Sequence, residues 1–521
     1  MSTSTQIRPP ETSVSFAERS ANVLTALLLL AGVCAYGLRN LSNTSFWSDE
    51  ASSFYTSLGW PPPGEVAGSL SDAWYWTLTT HVEPGLFNLI ERFWALSFGT
   101  EIHVLRLIPF ALFVVYLGAI ITAGRLLRLP WFLANAVAGV MLLENITPYY
   151  GVELRPSIAG LAASVALPVI GIWFSLNPSG RRLALFVVGV VFFGSMQFNS
   201  LPILVAVGVM LVVAAFLSSG SSSRLRILAA ALLAAAWQPV VYLVTRGNPM
   251  QATGESSLSA IPDTLIPNMS TTRVLEVVAT NFLSPTALPR TIFLVVLPVL
   301  WIVGKIERPW DQGSRFGWSV NALWTFVITA TLGSAAIGIR GVMPWILGTR
   351  WSIAEIGLIA VSLVGLVGLL AHLIDWRRSA LRWVVIAGAV LVAAVGSYRV
   401  GTYERPAGVD WRPAVEVILS GQPGGTIVDL WTYPEIRYWL ELSGDYESFT
   451  QPWLEHKVQP SVGEASADTQ VVRDFLTSDA DRLLLRNQQA LEGVTVPDGV
   501  EIIALDRDDA GVAQGPVLIV K

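Results

Sequence analysis

A series of long apolar stretches constrains the fold of this chain more than any other feature. A helix needs about 20 mostly apolar residues to cross the hydrocarbon core of a bilayer. Only 14% of the 521 residues are charged, which is too few to solvate the surface of a soluble chain of this length. The sequence therefore predicts a polytopic α-helical membrane protein with about 11 transmembrane helices. The predicted spans are 22–39, 102–124, 131–148, 157–175, 183–198, 200–217, 227–245, 290–304, 318–338, 351–373 and 383–399.

Basic residues divide the connecting segments into two sets, which gives the expected orientation. Cytoplasmic segments of membrane proteins are enriched in Lys and Arg. If the N-terminus is cytoplasmic, the long outer loops 40–101, 246–289 and 339–350 are poor in basic residues, and an odd number of spans puts the C-terminus outside. The cytoplasmic basic residues are then Arg8, Arg19, Arg125, Arg128, Arg181, Arg182, Arg224, Arg226, Lys305, Arg308, Arg315, Arg377, Arg378 and Arg382.

The overall charge limits the class of partner. A net charge of −5 argues against a nucleic-acid partner, and the apolar spans imply contact with membrane lipids. Only Lys305, Lys457 and Lys521 are lysines among 33 basic residues, a bias typical of GC-rich coding. We therefore expect a multi-pass protein of a bacterial inner (plasma) membrane.

The last section of the chain, 401–521, has a different character from residues 1–400. Charged residues return, and apolar runs shorten to the length of strands. Short strands that alternate with helical patterns predict a small α/β domain on the outer face. The predicted strands are Gly425–Leu430, Arg482–Leu485, Val500–Leu505 and Pro516–Val520, and the helical patterns are Arg412–Leu419, Pro434–Leu442 and Thr469–Leu476.

The outer loop 40–101 is rich in tryptophan. Tryptophan favours the membrane interface, where one edge of its ring is in contact with lipid and the other with water. The patterns of 65–80 and 86–98 therefore predict two helices that lie along the outer surface of the membrane. The tryptophans of this loop include Trp47, Trp60, Trp74 and Trp76.

Two adjacent carboxylates, Asp49 and Glu50, follow soon after the first span. Charges at a membrane interface are costly unless they are paired or functional. Asp49 is a candidate general base for an acceptor hydroxyl, because burial and neighbouring charges can tune a carboxylate toward the working pH. The alternative is a solvated acidic pair that ends a helix.

A second candidate site is the pair His81 and Glu83, further along the same outer loop. Together with Asp49 or Glu50, this pair has the ligand types of a divalent-metal site. The alternative is an ordinary surface loop.

Further candidates lie at the outer ends of later spans. Glu153 and Arg155 fall in the turn between the third and fourth spans, and Arg340 and Arg350 flank the loop between the ninth and tenth. Arginine binds phosphate with two hydrogen bonds, so these arginines are candidates for a lipid-linked phosphate. The alternatives are an ion-paired turn and, beside Trp351, an arginine that extends to the interface as an anchor.

The order of these motifs resembles the membrane glycosyltransferases of the GT-C class, and in particular bacterial relatives of the protein O-mannosyltransferases and the lipid A aminoarabinose transferase. The matching stretches are Asp49-Glu50, His81-Val82-Glu83-Pro84-Gly85-Leu86-Phe87, Arg106-Leu107-Ile108-Pro109, Tyr150 with Glu153, Arg155 and Pro156, and Arg350-Trp351. The likeness covers residues 20–160 well and 340–415 loosely. His81 stands where the family has an acid, and Glu83 where it has a histidine.

The resemblance implies an inverting transfer of a sugar from a polyprenyl phosphate to a hydroxyl of a glycan, lipid or protein acceptor. Asp49 would be the base, and Arg155 and Arg350 would lie at the donor phosphate. Arg340 is a further candidate for that phosphate, and Glu50 and Glu153 are candidates for supporting acids. The divalent-metal site at His81 and Glu83 rests on the types of these residues and not on the resemblance.

Two other classes of function compete with the enzyme. A transporter or flippase of a lipid-linked sugar would need polar groups in mid-membrane, and Gln197 and the Gln238-Pro239 pair are the residues that favour it. A membrane scaffold whose outer domain binds a partner would leave the acidic pair at the interface unexplained.

Overall fold

A computed structural model describes most of the membrane part of the chain and short segments of the tail. The described residues are 15–42, 48–61, 65–80, 84–144, 146–197, 200–217, 220–245, 287–304, 315–339, 353–377, 379–405, 426–428, 437–438, 482–485, 500–504 and 517–520.

Helices dominate this part of the chain. They are α1 (Phe16–Asn40), α2 (Ser48–Leu58), α3 (Leu70–Thr80), α4 (Leu86–Phe98), α5 (Ile102–Leu105), α6 (Leu107–Leu126), α7 (Trp131–Met141), α8 (Ile146–Tyr150), α9 (Ser157–Leu176), α10 (Gly180–Gly194), α11 (Leu201–Leu217), α12 (Ser221–Thr245), α13 (Leu288–Ile302), α14 (Arg315–Ile339), α15 (Ile353–Leu373) and α16 (Ser379–Gly401).

Each of the predicted spans overlaps at least one helix, and the protein is a multi-pass membrane protein. Within the described residues, 6 helices are long and apolar enough to cross a membrane. The helices α7, α11 and α13 are apolar but shorter. The total of 11 spans therefore stays a prediction. The six are Phe16–Asn40, Ile102–Leu126, Ser157–Leu176, Ser221–Val241, Ile356–Leu373 and Ala380–Gly401.

The chain forms two compact units, and the first is a helical bundle made of 1–40, 82–87 and 107–404. Helix α9 lies at its centre, since 83% of its most apolar window is buried. On α1, by contrast, Val23, Leu27 and Leu30 are exposed. Large apolar side chains on the outside of a bundle are suited to lipid and not to water, which agrees with the membrane assignment.

The predicted span 131–148 is interrupted in the structure. The apolar run 131–148 is one span in the sequence, but α7 ends at Met141 and α8 begins at Ile146. The Glu144 carboxylate accepts hydrogen bonds from the backbone N–H groups of Ile146 and Thr147, at 3.0 and 3.1 Å. It therefore acts as a cap that starts a new helix, which apolarity alone does not reveal.

The second unit is made of 41–81, 88–106 and 405–521. The helix predicted for 86–98 is present as α4, and the one predicted for 65–80 is present from Leu70 as α3. Their position along the membrane surface stays a prediction. Helix α2 is an additional helix that the sequence patterns did not predict. The predicted division into domains 1–400 and 401–521 stays a prediction.

The described segments of the tail form a four-stranded sheet in the order β1-β2-β4-β3. Strand β1 (Thr426–Val428) pairs in parallel with β2 (Arg482–Leu485), and β4 (Val517–Val520) pairs antiparallel with both β2 and β3 (Glu501–Ala504). All four predicted strands are confirmed. The helical patterns between them lie outside the described residues, except for the helical Arg437 and Tyr438, so the α/β domain stays a prediction.

Candidate functional site

The acidic pair opens helix α2. Asp49 and Glu50 lie in its first turn, where carboxylates are favoured by the positive end of the helix dipole. The helix forms because Ala51, Phe54, Tyr55 and Leu58 recur with helical spacing, and all four are buried. The backbone of Asp49 is therefore placed, whereas its side chain lies outside the described part of the structure.

The Glu50 carboxylate is fully buried between two arginines. Arg106 Nη2 donates to Glu50 Oε2 at 3.1 Å. Arg405 Nη1 donates to Glu50 Oε1 at 2.9 Å and to Oε2 at 3.0 Å. The alternative of a solvated acidic pair is therefore wrong for Glu50, because the side chain has exchanged water for two guanidinium groups.

The burial of these three charges decides what Glu50 can do. Removing an ion from water costs several kcal/mol, and a buried ion pair offsets that cost only with good geometry. Arg106 is fully buried and the Arg405 side chain is 2% exposed. Glu50 is thus held in place by its two ion pairs, and it holds the first turn of α2, to which Asp49 belongs.

A second buried carboxylate lies next to Glu50. Glu91 of α4 is fully buried, and its Oε2 accepts a hydrogen bond from Ser53 Oγ at 3.1 Å. Burial raises the pKa of Glu91 well above its usual range, and the negative charge of Glu50 raises it further, against the lowering effect of the Ser53 hydrogen bond. Glu50 and Glu91 therefore differ in character: Glu50 is held in ion pairs, whereas burial raises the pKa of Glu91.

Two neighbouring residues of the tail pack on α2. The Tyr438 ring meets the Phe54 ring edge to face, with centroids 5.9 Å apart. The Arg437 guanidinium lies 4.5 Å from the centre of the Tyr55 ring and donates to the Pro61 carbonyl at 2.6 Å. Burial raises the pKa of Tyr438 to about 12, although a hydrogen bond with the Ile102 backbone and the positive charge of Arg106 lower it.

The other end of α2 is held by Arg92 of α4. Its guanidinium donates to the carbonyl groups of Ser57 and Leu58, at 3.2 and 2.9 Å, and to that of Gly68. The last carbonyls of a helix have no partner within the helix, so a cation at this position satisfies them and complements the dipole. Helix α2 is therefore held by arginines at both ends.

The predicted turn with Glu153 and Arg155 lies in the helical bundle. Glu153 is buried, Arg155 is partly buried, and the Arg155 N–H donates to the Glu153 carbonyl at 2.7 Å. The hydroxyl of Tyr36 donates to the backbone carbonyl of Pro148 just before this turn. This turn belongs to the first compact unit, whereas Glu50, Arg106 and Arg405 belong to the second.

The remaining predicted site residues, His81, Glu83, Arg340 and Arg350, lie outside the described residues. Within the described ones, no group of three His, Cys, Asp or Glu side chains is arranged to hold a metal ion. The metal site and the phosphate-binding roles of these arginines therefore stay predictions.

Three residues that contact helix α2 were not predicted from the sequence, namely Arg405, Glu91 and Tyr438. Arg405 follows the last span by a few residues and belongs to no recognisable motif. Glu91 carried a usable signal, since a carboxylate within the apolar pattern of α4 predicts either a partner or a raised pKa. Tyr438 carried none, because its contacts with α2 join segments that are far apart in the chain.

Gln238, the residue that most favoured a transporter, has a local structural role. It is buried, and its Nε2 donates to the carbonyls of Gly194 and Gln197 and to Ser200 Oγ, at 3.2, 2.7 and 2.8 Å. It thus closes the turn between α10 and α11. These contacts account for the Gln238 Nε2 without a transported ligand, whereas its Oε1 is buried with no hydrogen-bond partner among the described residues. The transporter remains the alternative prediction.

The solved structures that resemble this chain include two membrane transferases. No family model matches the chain, and no curated protein matches it. The Archaeoglobus fulgidus oligosaccharyltransferase, in complex with Zn and sulfate, is 14% identical with a TM-score of 0.45, over 90% of this chain and 68% of that one. ArnT from Cupriavidus metallidurans, bound to undecaprenyl phosphate, is 14% identical with a TM-score of 0.43, over 95% of this chain and 97% of that one. Likeness at this level does not carry the fold or the activity of either protein over to this chain.

Proposed function

We propose that this chain is a GT-C-like membrane glycosyltransferase that moves a sugar from a polyprenyl phosphate to a hydroxyl of a cell-envelope acceptor. The reaction takes place at the outer face of a bacterial inner membrane. The proposal includes 11 spans, a cytoplasmic N-terminus and an extracytoplasmic C-terminal domain.

The observation that carries the proposal is the environment of the acidic pair. Glu50 is buried against Arg106 and Arg405, so it is committed to ion pairs and is a poor base. Its neighbour Asp49 lies in the same first helical turn. A general base must be held within hydrogen-bond reach of the proton that it accepts, and the fixed turn provides such support for Asp49.

The bond changes follow from the donor. An acceptor hydroxyl attacks the anomeric carbon of the sugar, its proton passes to Asp49, and the bond from that carbon to the lipid phosphate breaks. Attack opposite to the leaving group inverts the configuration. Negative charge develops on the leaving phosphate, and fixed cations at that position stabilise the transition state; Arg155, Arg350 and Arg340 are the proposed cations.

Glu50 and Glu153 support the reaction without touching the proton in transit. Glu50 positions the turn that bears Asp49, and Glu153 positions Arg155 through the turn that they share. A divalent metal ion held by His81 and Glu83 would supply further positive charge at the donor.

The test of this function compares two acidic residues of the same chain. Purified protein in lipid nanodiscs is given labelled polyprenyl-phosphate sugars and a cell-envelope acceptor extract, and transfer of label is measured. We expect Asp49→Asn to reduce transfer by about 10²–10⁴-fold, the usual contribution of a general base.

The matched control is Glu404→Gln, which removes an exposed carboxylate whose ion-pair partner is Arg39. We expect this variant to transfer label at the wild-type rate. Undiminished transfer by Asp49→Asn would remove Asp49 as the base. A wild-type protein that transfers no label in nanodiscs but carries labelled lipid across the bilayer of sealed proteoliposomes would favour the flippase instead.

A further inference from the structure

Two buried polar atoms on one face of α4 lack a hydrogen-bond partner among the described residues. They are Asn88 Nδ2 and Glu91 Oε1. The Asn88 side chain belongs to a residue that is 3% exposed, and Glu91 is fully buried. Leaving such a group unpaired costs about 1–3 kcal/mol, so native proteins rarely do so unless a ligand or a water molecule completes the site.

The positions of the two atoms indicate that they serve one ligand. Residues three apart on a helix are neighbours on its surface, and Asn88 and Glu91 have that spacing. The other oxygen of the Glu91 carboxyl is held by Ser53 of α2. One carboxyl oxygen is therefore anchored, while the second has no hydrogen-bond partner among the described residues and belongs to a residue on the same face of α4 as Asn88.

The chemistry of the two atoms selects the ligand. Asn88 Nδ2 can only donate a hydrogen bond, and a carboxyl oxygen can accept one. A hydroxyl group does both, because it accepts from Asn88 and donates to Glu91. A cation would leave the Asn88 Nδ2 donor without an acceptor, so an uncharged hydroxyl suits both atoms better.

We propose that Asn88 and Glu91 form a subsite that holds one hydroxyl group of the transferred sugar. The proposal rests on the function proposed above. It is supported by the chain of contacts from this subsite to the acidic pair: Glu91 is bonded to Ser53, and Ser53 lies one helical turn after Glu50 on α2. The subsite thus determines which sugar is accepted, and it lies on the two helices that place Asp49.

The test uses donors that each lack one hydroxyl. Full-length protein in nanodiscs is first given a panel of polyprenyl-phosphate hexoses and pentoses, and the best donor is then supplied in its monodeoxy forms. We expect the wild-type protein to prefer the complete donor over one of these forms by about tenfold to one-hundredfold in kcat/KM, because the deoxy form leaves Asn88 and Glu91 unpaired. We expect Asn88→Leu to lose the preference for the complete donor over that one monodeoxy form, and to keep its preferences among the other donors.

Two further measurements separate the subsite from a structural role. Asn88→Leu removes a buried donor without a described partner, so its thermal stability should equal or exceed that of the wild type. The control is Asn135→Leu, since the Asn135 Nδ2 donates to Thr25 Oγ1 at 3.0 Å. This control should lower stability and keep every preference among the deoxy donors.

Each outcome has one meaning. If Asn88→Leu keeps the wild-type preference among the donors, the subsite is overturned and the proposed glycosyltransferase function stands. The same holds if Asn88→Leu slows transfer from every donor equally, because Asn88 would then bind a water molecule and not a sugar hydroxyl. If the wild-type protein transfers none of the sugars, the proposed function fails and the subsite fails with it.

Discussion

At the scale of residues, the role of Glu50 follows from the two arginines that it contacts. Its carboxylate contacts Arg106 and Arg405, and all three side chains are buried. Removing one member of such a set of ion pairs leaves a buried charge without its partner. The free-energy cost of that unpaired charge exceeds the net stabilisation that the intact ion pairs provide. Glu50 therefore matters to the stability of α2 as well as to the placement of Asp49.

We predict that Glu50→Gln lowers the free energy of unfolding by about 3–5 kcal/mol, because it removes the charge that both guanidinium groups contact. Arg39→Gln breaks an ion pair whose side chains are 44% and 68% exposed, and it should cost at most about 1 kcal/mol. Denaturant unfolding in detergent, with hydrogen exchange of α2, measures both. Equal stability of the two variants would contradict the role given to Glu50.

Glu91 makes the stability of the folded protein depend on pH, and the direction of this dependence follows from its pKa. Its pKa in the folded protein is raised above the ordinary value of 4.5, so the folded chain binds this proton more tightly than the unfolded chain. The resulting stability is present below the unfolded pKa and is lost as the pH rises through the folded pKa.

Glu91→Gln should therefore gain stability relative to the wild type as the pH rises above about 4.5, because glutamine does not titrate. Thermal unfolding of both proteins across a pH series measures the difference between them. A difference that stays constant with pH would show that Glu91 titrates at its ordinary value.

At the scale of elements, local patterns predicted most helices and strands. Helix α4 and strand β2 have the predicted bounds because their apolar patterns begin and end at clear positions. Helix α2 was missed although Ala51, Phe54, Tyr55 and Leu58 have helical spacing, since it is short and polar overall. The partners of Glu50 could not be predicted, because a buried ion pair between distant segments leaves no periodic pattern in either one.

Helix α16 offers a matched test of packing. A Cβ on Gly396 would overlap the backbone of Gly139 in α7, whereas a Cβ on Gly388 would meet no atom within 4 Å. We predict that Gly396→Leu lowers stability by about 1–3 kcal/mol or more, since overpacking forces the backbones apart, and that Gly388→Leu has little effect. Thermal unfolding in detergent compares them, and equal losses would contradict the close approach of α7 and α16.

At the scale of the whole molecule, the exposed apolar faces and the long helices make this a membrane protein. Composition alone predicted that property, because too few charges exist to cover the surface in water. The orientation is a separate prediction, which rests on the distribution of arginines between alternating segments.

We predict that Thr402 lies outside the cell and Ser221 inside. Cys34 is the only cysteine, so Cys34→Ser gives a background in which Thr402→Cys and Ser221→Cys can each be labelled alone. A membrane-impermeant maleimide should label Thr402→Cys in intact cells and Ser221→Cys only after permeabilisation. The reverse pattern would invert the chain and put Asp49 on the cytoplasmic face.

The contact between Glu50 and Arg405 can form only late in the synthesis of the chain. The two residues are 355 positions apart, and synthesis runs from the N-terminus at about 5–20 residues per second, so Arg405 follows Glu50 by on the order of 20–70 s. Arg106, only 56 positions later, is available first. The candidate site is thus completed last, after the final membrane helix has been synthesised, and a nascent chain that stops before Arg405 lacks one of its two cations.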